Sequence, residues 1–225
     1  MKRRGAWLLL GAGVTVLLLV SPLALRQAAF FRIRRVEVVG ARYLAPERIV
    51  EALGLATEQN LFDPVGDAEQ RVAAVPGIVR VDIGRRVPGT LRVTVVEREP
   101  VGLAPERTGL VPIDCDAAAL PYDPARSGLA LPIVEAADSV LARALCVVRA
   151  ADSALYAAVQ GVRGGPGGSV MLELGDQRVQ LNGTPSTADV EAVALVRRHL
   201  EESGRAFAEL DGRYRGLVYA RGRRS

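Results

Sequence analysis

Nineteen consecutive residues, Trp7 to Leu25, carry no charge, and no other feature limits the options of this chain so severely. At a helical rise of about 1.5 Å per residue the run reaches roughly 28 Å, close to the ~30 Å hydrocarbon core of a bilayer. Trp7 stands at one end, where an amphipathic ring prefers the headgroup level. Lys2, Arg3 and Arg4 precede the run, a pattern shared by membrane anchors and cleaved signal peptides. The run outlasts the apolar part of a typical signal, and the candidate cleavage region Ser21-Pro22-Leu23-Ala24 lacks an A-x-A pattern. These features favour an uncleaved transmembrane helix over 7–25, with a short tail at 1–6. Charge alone does not orient it, because Arg26, Arg32, Arg34 and Arg35 follow as closely as the N-terminal cluster precedes.

Beyond the anchor there is room for one or two small domains in a chain of 225 residues. The 29 basic residues exceed the 25 acidic ones by little more than the N-terminal cluster, so the exported part has no global field to attract nucleic acid. Cys115 and Cys146 lack CxxC spacing, and with the single histidine, His199, they cannot assemble a zinc site. In an oxidising compartment they either pair or stay separate thiols; both readings remain open. A helical wheel sets Cys146 opposite the Leu141/Leu145/Val148 face, as an exposed residue.

The stretch 35–39 alternates Val36 and Val38 with Arg35 and Glu37, a strand that Gly40 ends. A short helix follows in "APERIVEALGL", with Pro46 at its first position, Ile49, Val50 and Leu53 on one face, and Gly54 as its stop. A second helix places Ala68, Val72 and Val75 on one face before Pro76-Gly77. Two alternating strands come next, the first with Val79, Val81 and Ile83 on one side, the second with Leu91, Val93 and Val95. The segment Arg85 to Gly89 is a hairpin loop.

The order strand, helix, helix, strand, strand, with "FRIRRVEVVG", "APERIVEALGL", "NLFDP" and "VPGIVRVDIGRRVPGTLRVTVVEREPVGL" at their spacings, resembles the POTRA domain next to the membrane in the FtsQ/DivIB family. The resemblance covers Phe31 to Leu103. It implies an α+β protein: an N-terminal transmembrane helix, a POTRA domain (β-α-α-β-β) over 28–99, and a second α+β domain with a mostly antiparallel sheet over 100–222. It also implies a cytoplasmic N-terminus, a single pass through the inner membrane, and a docking role at the division septum with no catalysis.

In the second domain "TGLVPIDCDAAALPYD" resembles the family's strand pair, with Cys115-Asp116-Ala117 in place of the usual turn glycine. Asp138 caps a helix expected to run to about Val159, with Leu141, Leu145, Val148, Leu155 and Val159 on one face. Two strands flank Gly175-Asp176, and a last helix runs from about Thr187 to Ser203. The closing "FAELDGRYRGLVYARGR" resembles the family's final strand. Its apolar phase changes near Gly216, as a bulge produces; a hairpin at Asp211-Gly212 is the competing reading. A strand that ends a chain often lies at a sheet edge, where unpaired backbone groups accept a partner. The resemblance implies that FtsB, held with FtsL, adds a segment there, at Arg213, Tyr214, Arg215, Gly216, Leu217, Val218 and Tyr219. Gly212 replaces the family's leucine. Gly167 and Gly168 replace an arginine pair, with Arg163 the nearest substitute.

No cofactor, metal or small-molecule substrate is implied. Gly164-Gly165-Pro166-Gly167-Gly168 leads into a strand rather than a helix and reads as a connector, not a phosphate loop. The acidic pairs Glu97/Glu99 and Glu201/Glu202 read as solvated faces. Two other functions compete: an outer-membrane assembly or secretion component, which also uses POTRA units but normally adds a β-barrel, and a membrane-anchored hydrolase. The hydrolase requires Ser169 or Ser203 beside His199.

Overall fold

A 3-10 turn, Ala29–Phe31, delivers the chain into β1 (Arg35–Val39). The computed structural model describes residues 29–222 apart from 57, 58, 108, 125–127 and 129. The expected transmembrane segment 7–25 lies outside these residues. Among the described residues no helix is long and apolar enough to cross a membrane. The chain divides into two units between Glu97 and Arg98.

In the first unit β1 is followed by α1 (Pro46–Leu53), α2 (Gly66–Ala73), β2 (Ile78–Arg86) and β3 (Thr90–Glu97). The sheet order is β1-β3-β2, with β1 parallel and β2 antiparallel to β3. Pro46 opens α1, and Gly54 closes it in the left-handed region at φ 56°, where a Cβ is disfavoured. The Arg71 guanidinium of α2 donates to the carbonyls of Ala52 and Leu53, covering acceptors that the end of α1 leaves open. Ile49, Leu53, Ala68, Val72, Leu91, Val93 and Val95 are buried, as are Leu44, Leu61, Val65, Ile78 and Val81.

Three expectations fail here. Val50 is exposed, because eight residues of helix present a face only wide enough for Ile49 and Leu53. Val79 is 60% exposed; a register shift between Ile78 and Arg80 inserts one residue against β3 and reverses the side-chain phase. Glu97 is buried rather than solvated. Its carboxylate accepts the backbone N–H groups of Arg42, Tyr43 and Leu44 at 2.8, 2.7 and 2.9 Å, which fastens the loop between β1 and α1 to the end of β3.

The second unit contains β4 (Gly102–Glu106), β5 (Gly109–Ile113), β6 (Ile133–Val134), α3 (Ser139–Ala151), α4 (Ser153–Ala158), β7 (Gly161–Gly164), β8 (Val170–Leu174), β9 (Gln177–Leu181), α5 (Thr187–Glu202), β10 (Phe207–Tyr214) and β11 (Leu217–Gly222). They form one sheet in the order β11-β10-β9-β8-β7-β6-β4-β5. The sheet is mixed: four of its joints are antiparallel, as expected for most of it, and three, β4/β6, β6/β7 and β9/β10, are parallel. Helical returns explain two of these joints: α3–α4 and α5 bring the chain back to the starting end before the next strand begins.

The expected continuous helix to Val159 breaks at Asp152. That residue adopts extended φ/ψ and its carboxylate accepts the N–H of Leu155; aspartate competes for backbone donors and so starts a new helix instead of extending the old one. Asp138 caps α3 as expected, accepting from Val140 and Leu141. Cys115 and Cys146 form a disulfide, Cα to Cα 5.8 Å. Cys146 is thus partly buried against the core rather than exposed, because the bond draws the turn after β5 onto α3. In that turn the buried Asp114 carboxylate accepts from the N–H groups of Asp116 and Ala118 and from Arg98. Ala117 sits at φ 62°, the conformation that the missing glycine would supply without strain.

Candidate docking edge

The stretch Arg213–Tyr219 turns a corner instead of running straight. Arg213 and Tyr214 end β10, Arg215-Gly216 form the turn with Gly216 at φ 72°, and Leu217, Val218 and Tyr219 begin β11. Tyr214 pairs with Leu217 across the hairpin. The expected phase change at Gly216 is therefore a turn, and the competing hairpin at Asp211-Gly212 is absent: Gly212 lies inside β10, opposite Leu181. A bulge does occur, between Asp211 and Tyr214. Turn propensity alone favoured Asp-Gly. The parallel pairing of β10 with β9 as far as Gly212 holds that dipeptide extended and moves the reversal to the next glycine.

This geometry separates the expected site residues into two groups. Arg213 and Tyr214 belong to a strand that is paired on both sides, whereas Leu217, Val218 and Tyr219 belong to the terminal strand of the sheet, which among the described residues pairs with β10 alone. Leu217 is 56% exposed, while Val218 packs against the core. The rings of Tyr214 and Tyr219 meet edge-on at 5.9 Å. With Glu209, Asp211, Ala220 and Arg221 they line a depression of about 410 Å³. Register aligns Arg178, Glu209 and Arg221 in one row across the strands and Gln180, Asp211 and Tyr219 in the next. Leu210 is buried between these rows, on the side that packs against the helices.

The arginine expected at the site does not reach outward freely. Nε and Nη2 of Arg213 donate to the two oxygens of Asp211 at 2.9 and 2.7 Å. That bond holds the Asp211 carboxyl below the usual carboxylate range, against the opposing effect of burial, and raises Arg213 in turn. A second ion pair, Arg221 with Glu209 at 3.5 Å, spans the hairpin. Gly212 explains its own identity. A Cβ there would run into the Val193 side chain of α5, so the space of a larger residue is filled from the helix. The signal was in the sequence as the departure from leucine, but only the packing shows what compensates it.

Two further expectations resolve nearby. Gly167 and Gly168 adopt φ 68° and 74° in the turn Pro166–Gly168, and Arg163 forms a salt bridge with Glu173 at 2.8 Å. The hydroxyls that a His199-based hydrolase would need are engaged elsewhere. Ser203 Oγ donates to the carbonyls of His199 and Leu200 at the end of α5. Ser169 Oγ donates to the Pro166 carbonyl and accepts from Gln180 Nε2.

Comparison with known proteins bears on the first unit. Residues 31–98 match the family model described as POTRA domain, FtsQ-type. Three relatives bear the name cell division protein FtsQ. The one from Corynebacterium glutamicum is 31% identical over 70 residues, 31% of this chain and 32% of its own length. The one from Chloroflexus aurantiacus is 40% identical over 73 residues, 31% of this chain and 26% of its own. The one from Chloroflexus aggregans is 39% identical over 90 residues, 36% of this chain and 31% of its own. The chain thus spans about a third of the length of the curated relatives it matches. The likeness to cell division proteins of the FtsQ type thus rests on the strand–helix–helix–strand–strand unit and its immediate flanks, about a third of the chain.

Proposed function

We propose that the chain is a cell division protein of the FtsQ type, a membrane-anchored scaffold whose second unit captures another divisome protein along the edge of β11. The observation that carries this reading is a sheet edge, unpaired among the described residues, bordered by Leu217 and by the Tyr214–Tyr219 pair. A partner segment that adds a strand gains main-chain hydrogen bonds from the edge and side-chain contacts from the tyrosines. The partner expected from the family is an FtsB/FtsL pair, and the outcome is recruitment or regulation of septal peptidoglycan synthesis.

The disulfide supports an extracytoplasmic place for the second unit, since such bonds persist in oxidising compartments. The uncharged run 7–25 supplies the anchor in this reading, with the N-terminus in the cytoplasm. No reaction is assigned; the role is binding.

Binding of an FtsB–FtsL pair to the full chain in detergent tests the site. Leu217→Glu puts a charge beside the added strand, and Tyr214→Ala removes one ring; each should weaken binding by about tenfold or more, as loss of an interface anchor does. Unchanged affinity in both variants refutes the site. A fluorescent fusion that lights the whole envelope of dividing cells, with no midcell band, refutes the divisome role.

A further inference from the structure

The end of the first unit at which the chain enters is apolar and basic at once. Phe30 and Phe62 are 59% and 37% exposed, and Val87, at the tip between β2 and β3, is 65% exposed. Backbone pairing gathers these three segments. The Leu61 N–H donates to the Phe31 carbonyl, the Ile33 N–H to the Gln59 carbonyl, and the N–H groups of Arg34 and Arg35 to the Gly89 carbonyl. The rings extend the contact, with Phe31 edge-on to Phe30 at 5.1 Å and to Phe62 at 5.2 Å.

Arg32, Arg34, Arg35, Arg85 and Arg86 stand exposed around them. Arg34 donates to the Phe30 carbonyl, and Arg85 donates to the carbonyls of Leu61 and Asp63. Those acceptors are neutral, so these bonds orient the charges of Arg34 and Arg85 without cancelling them. Among the described residues two carboxylates lie close by: Asp63 accepts the Asn60 N–H, and Glu37 pairs with Arg92 and lies 4.0 Å from Arg86, which offsets part of the positive charge on that side.

The position of this end names its occupant. The uncharged run ends at Leu25, five residues before Phe30, and five residues of extended chain span at most about 18 Å. An apolar and cationic surface tethered that closely to a membrane helix meets the bilayer interface, where aromatic rings rest at headgroup level and guanidinium groups face anionic phosphate. We propose that this end of the first unit sits on the lipid surface, with Phe30, Phe62 and Val87 among the headgroups and the surrounding arginines facing anionic lipid. The proposal rests on the anchor reading given under Proposed function.

Tryptophan quenching in reconstituted full-length chain tests it, in vesicles of phosphatidylglycerol and phosphatidylethanolamine with brominated acyl chains. Trp7, the single tryptophan, reports on the anchor. Phe62→Trp combined with Trp7→Phe reports on the tip. Val79→Trp combined with Trp7→Phe is the control, because Val79 is exposed near the far end of β2. The expected result is loss of emission for the anchor and tip probes and none for the control. Quenching at Trp7 without quenching at the tip, or equal quenching at tip and control, overturns the tip contact and leaves the anchor standing. An unquenched Trp7 overturns the anchor reading itself. Replacing phosphatidylglycerol by phosphatidylcholine should lessen the tip quenching; an equal signal in both overturns the part assigned to arginine.

Discussion

Removing the Glu97 carboxylate tests how the first unit holds its β1–α1 loop. Three backbone donors converge on that one side chain, at 2.7 to 2.9 Å. A hydrogen bond to a charged acceptor contributes about 1.5–3 kcal/mol net, and an amide left buried without an acceptor costs about 1–3 kcal/mol. The three bonds share one acceptor and are not additive, so Glu97→Ala should cost roughly 3–5 kcal/mol, in the range for breaking a buried network. Glu97→Gln keeps one carbonyl oxygen but turns an NH2 toward the donors; its cost should be about 2 kcal/mol.

Peptide-resolved hydrogen exchange on the full chain in detergent is the suitable assay, since it reports the first unit separately from the second. Glu97→Gln should speed exchange of the Arg42–Leu44 amides by roughly 30-fold, the factor that corresponds to 2 kcal/mol. Glu97→Ala should in addition lower the protection of β3 and α1. Unchanged exchange at Arg42–Leu44 in both variants would show that the loop is held by its own packing and that the carboxylate contributes nothing measurable.

Four shorter tests concern the second unit. Ala117→Gly should raise its stability by roughly 0.5–1 kcal/mol, because glycine relieves the positive φ at the cost of some backbone entropy; a denaturation midpoint that stays or falls refutes the strain. Cys115→Ser with Cys146→Ser opens a loop of sequence separation 31 and should cost about 3.5 kcal/mol by loop entropy. A reductant should reproduce that loss in the parent chain and leave the double variant unaffected. Gly212→Leu should destabilise through its clash with Val193, and Val193→Ala in the same chain should recover part of the loss; strictly additive costs would refute the coupling. Asp211 is held below the usual carboxylate range chiefly by its bond to Arg213. A depressed folded value adds stability above the ordinary Asp value of about 3.9 that disappears as pH falls through the folded value. An acid titration of unfolding should therefore be less steep for Asp211→Asn, and identical curves would remove the pair from the account.

Periodicity and punctuation were enough for the first unit because its elements are short and end at residues with strong local preferences: Pro46, Gly54, Pro76-Gly77 and Pro88-Gly89. Beyond Val50, which a short helix leaves exposed, the misreadings there came from a single bulge at Val79 and from a carboxylate, Glu97, whose donors lie more than fifty residues away. No local pattern encodes either. In the second unit Asp138, Gly175-Asp176 and the start of α5 at Ser186–Thr187 were legible for the same local reasons, since caps and tight turns are chosen by neighbouring residues.

Local pattern was enough for a long uncharged run, a POTRA-type order of elements, and an aromatic closing stretch. Tertiary structure decided the rest. It set which joints of the eight-stranded sheet are parallel, that Cys115 meets Cys146, and that the last segment folds back at Gly216 so that β11 forms one of the sheet's two edges among the described residues. The range of the forces involved accounts for the division. A residue's φ/ψ preference acts on its neighbours, but strand register, disulfide pairing and the space that Val193 takes from Gly212 depend on surfaces that meet only after the chain has folded.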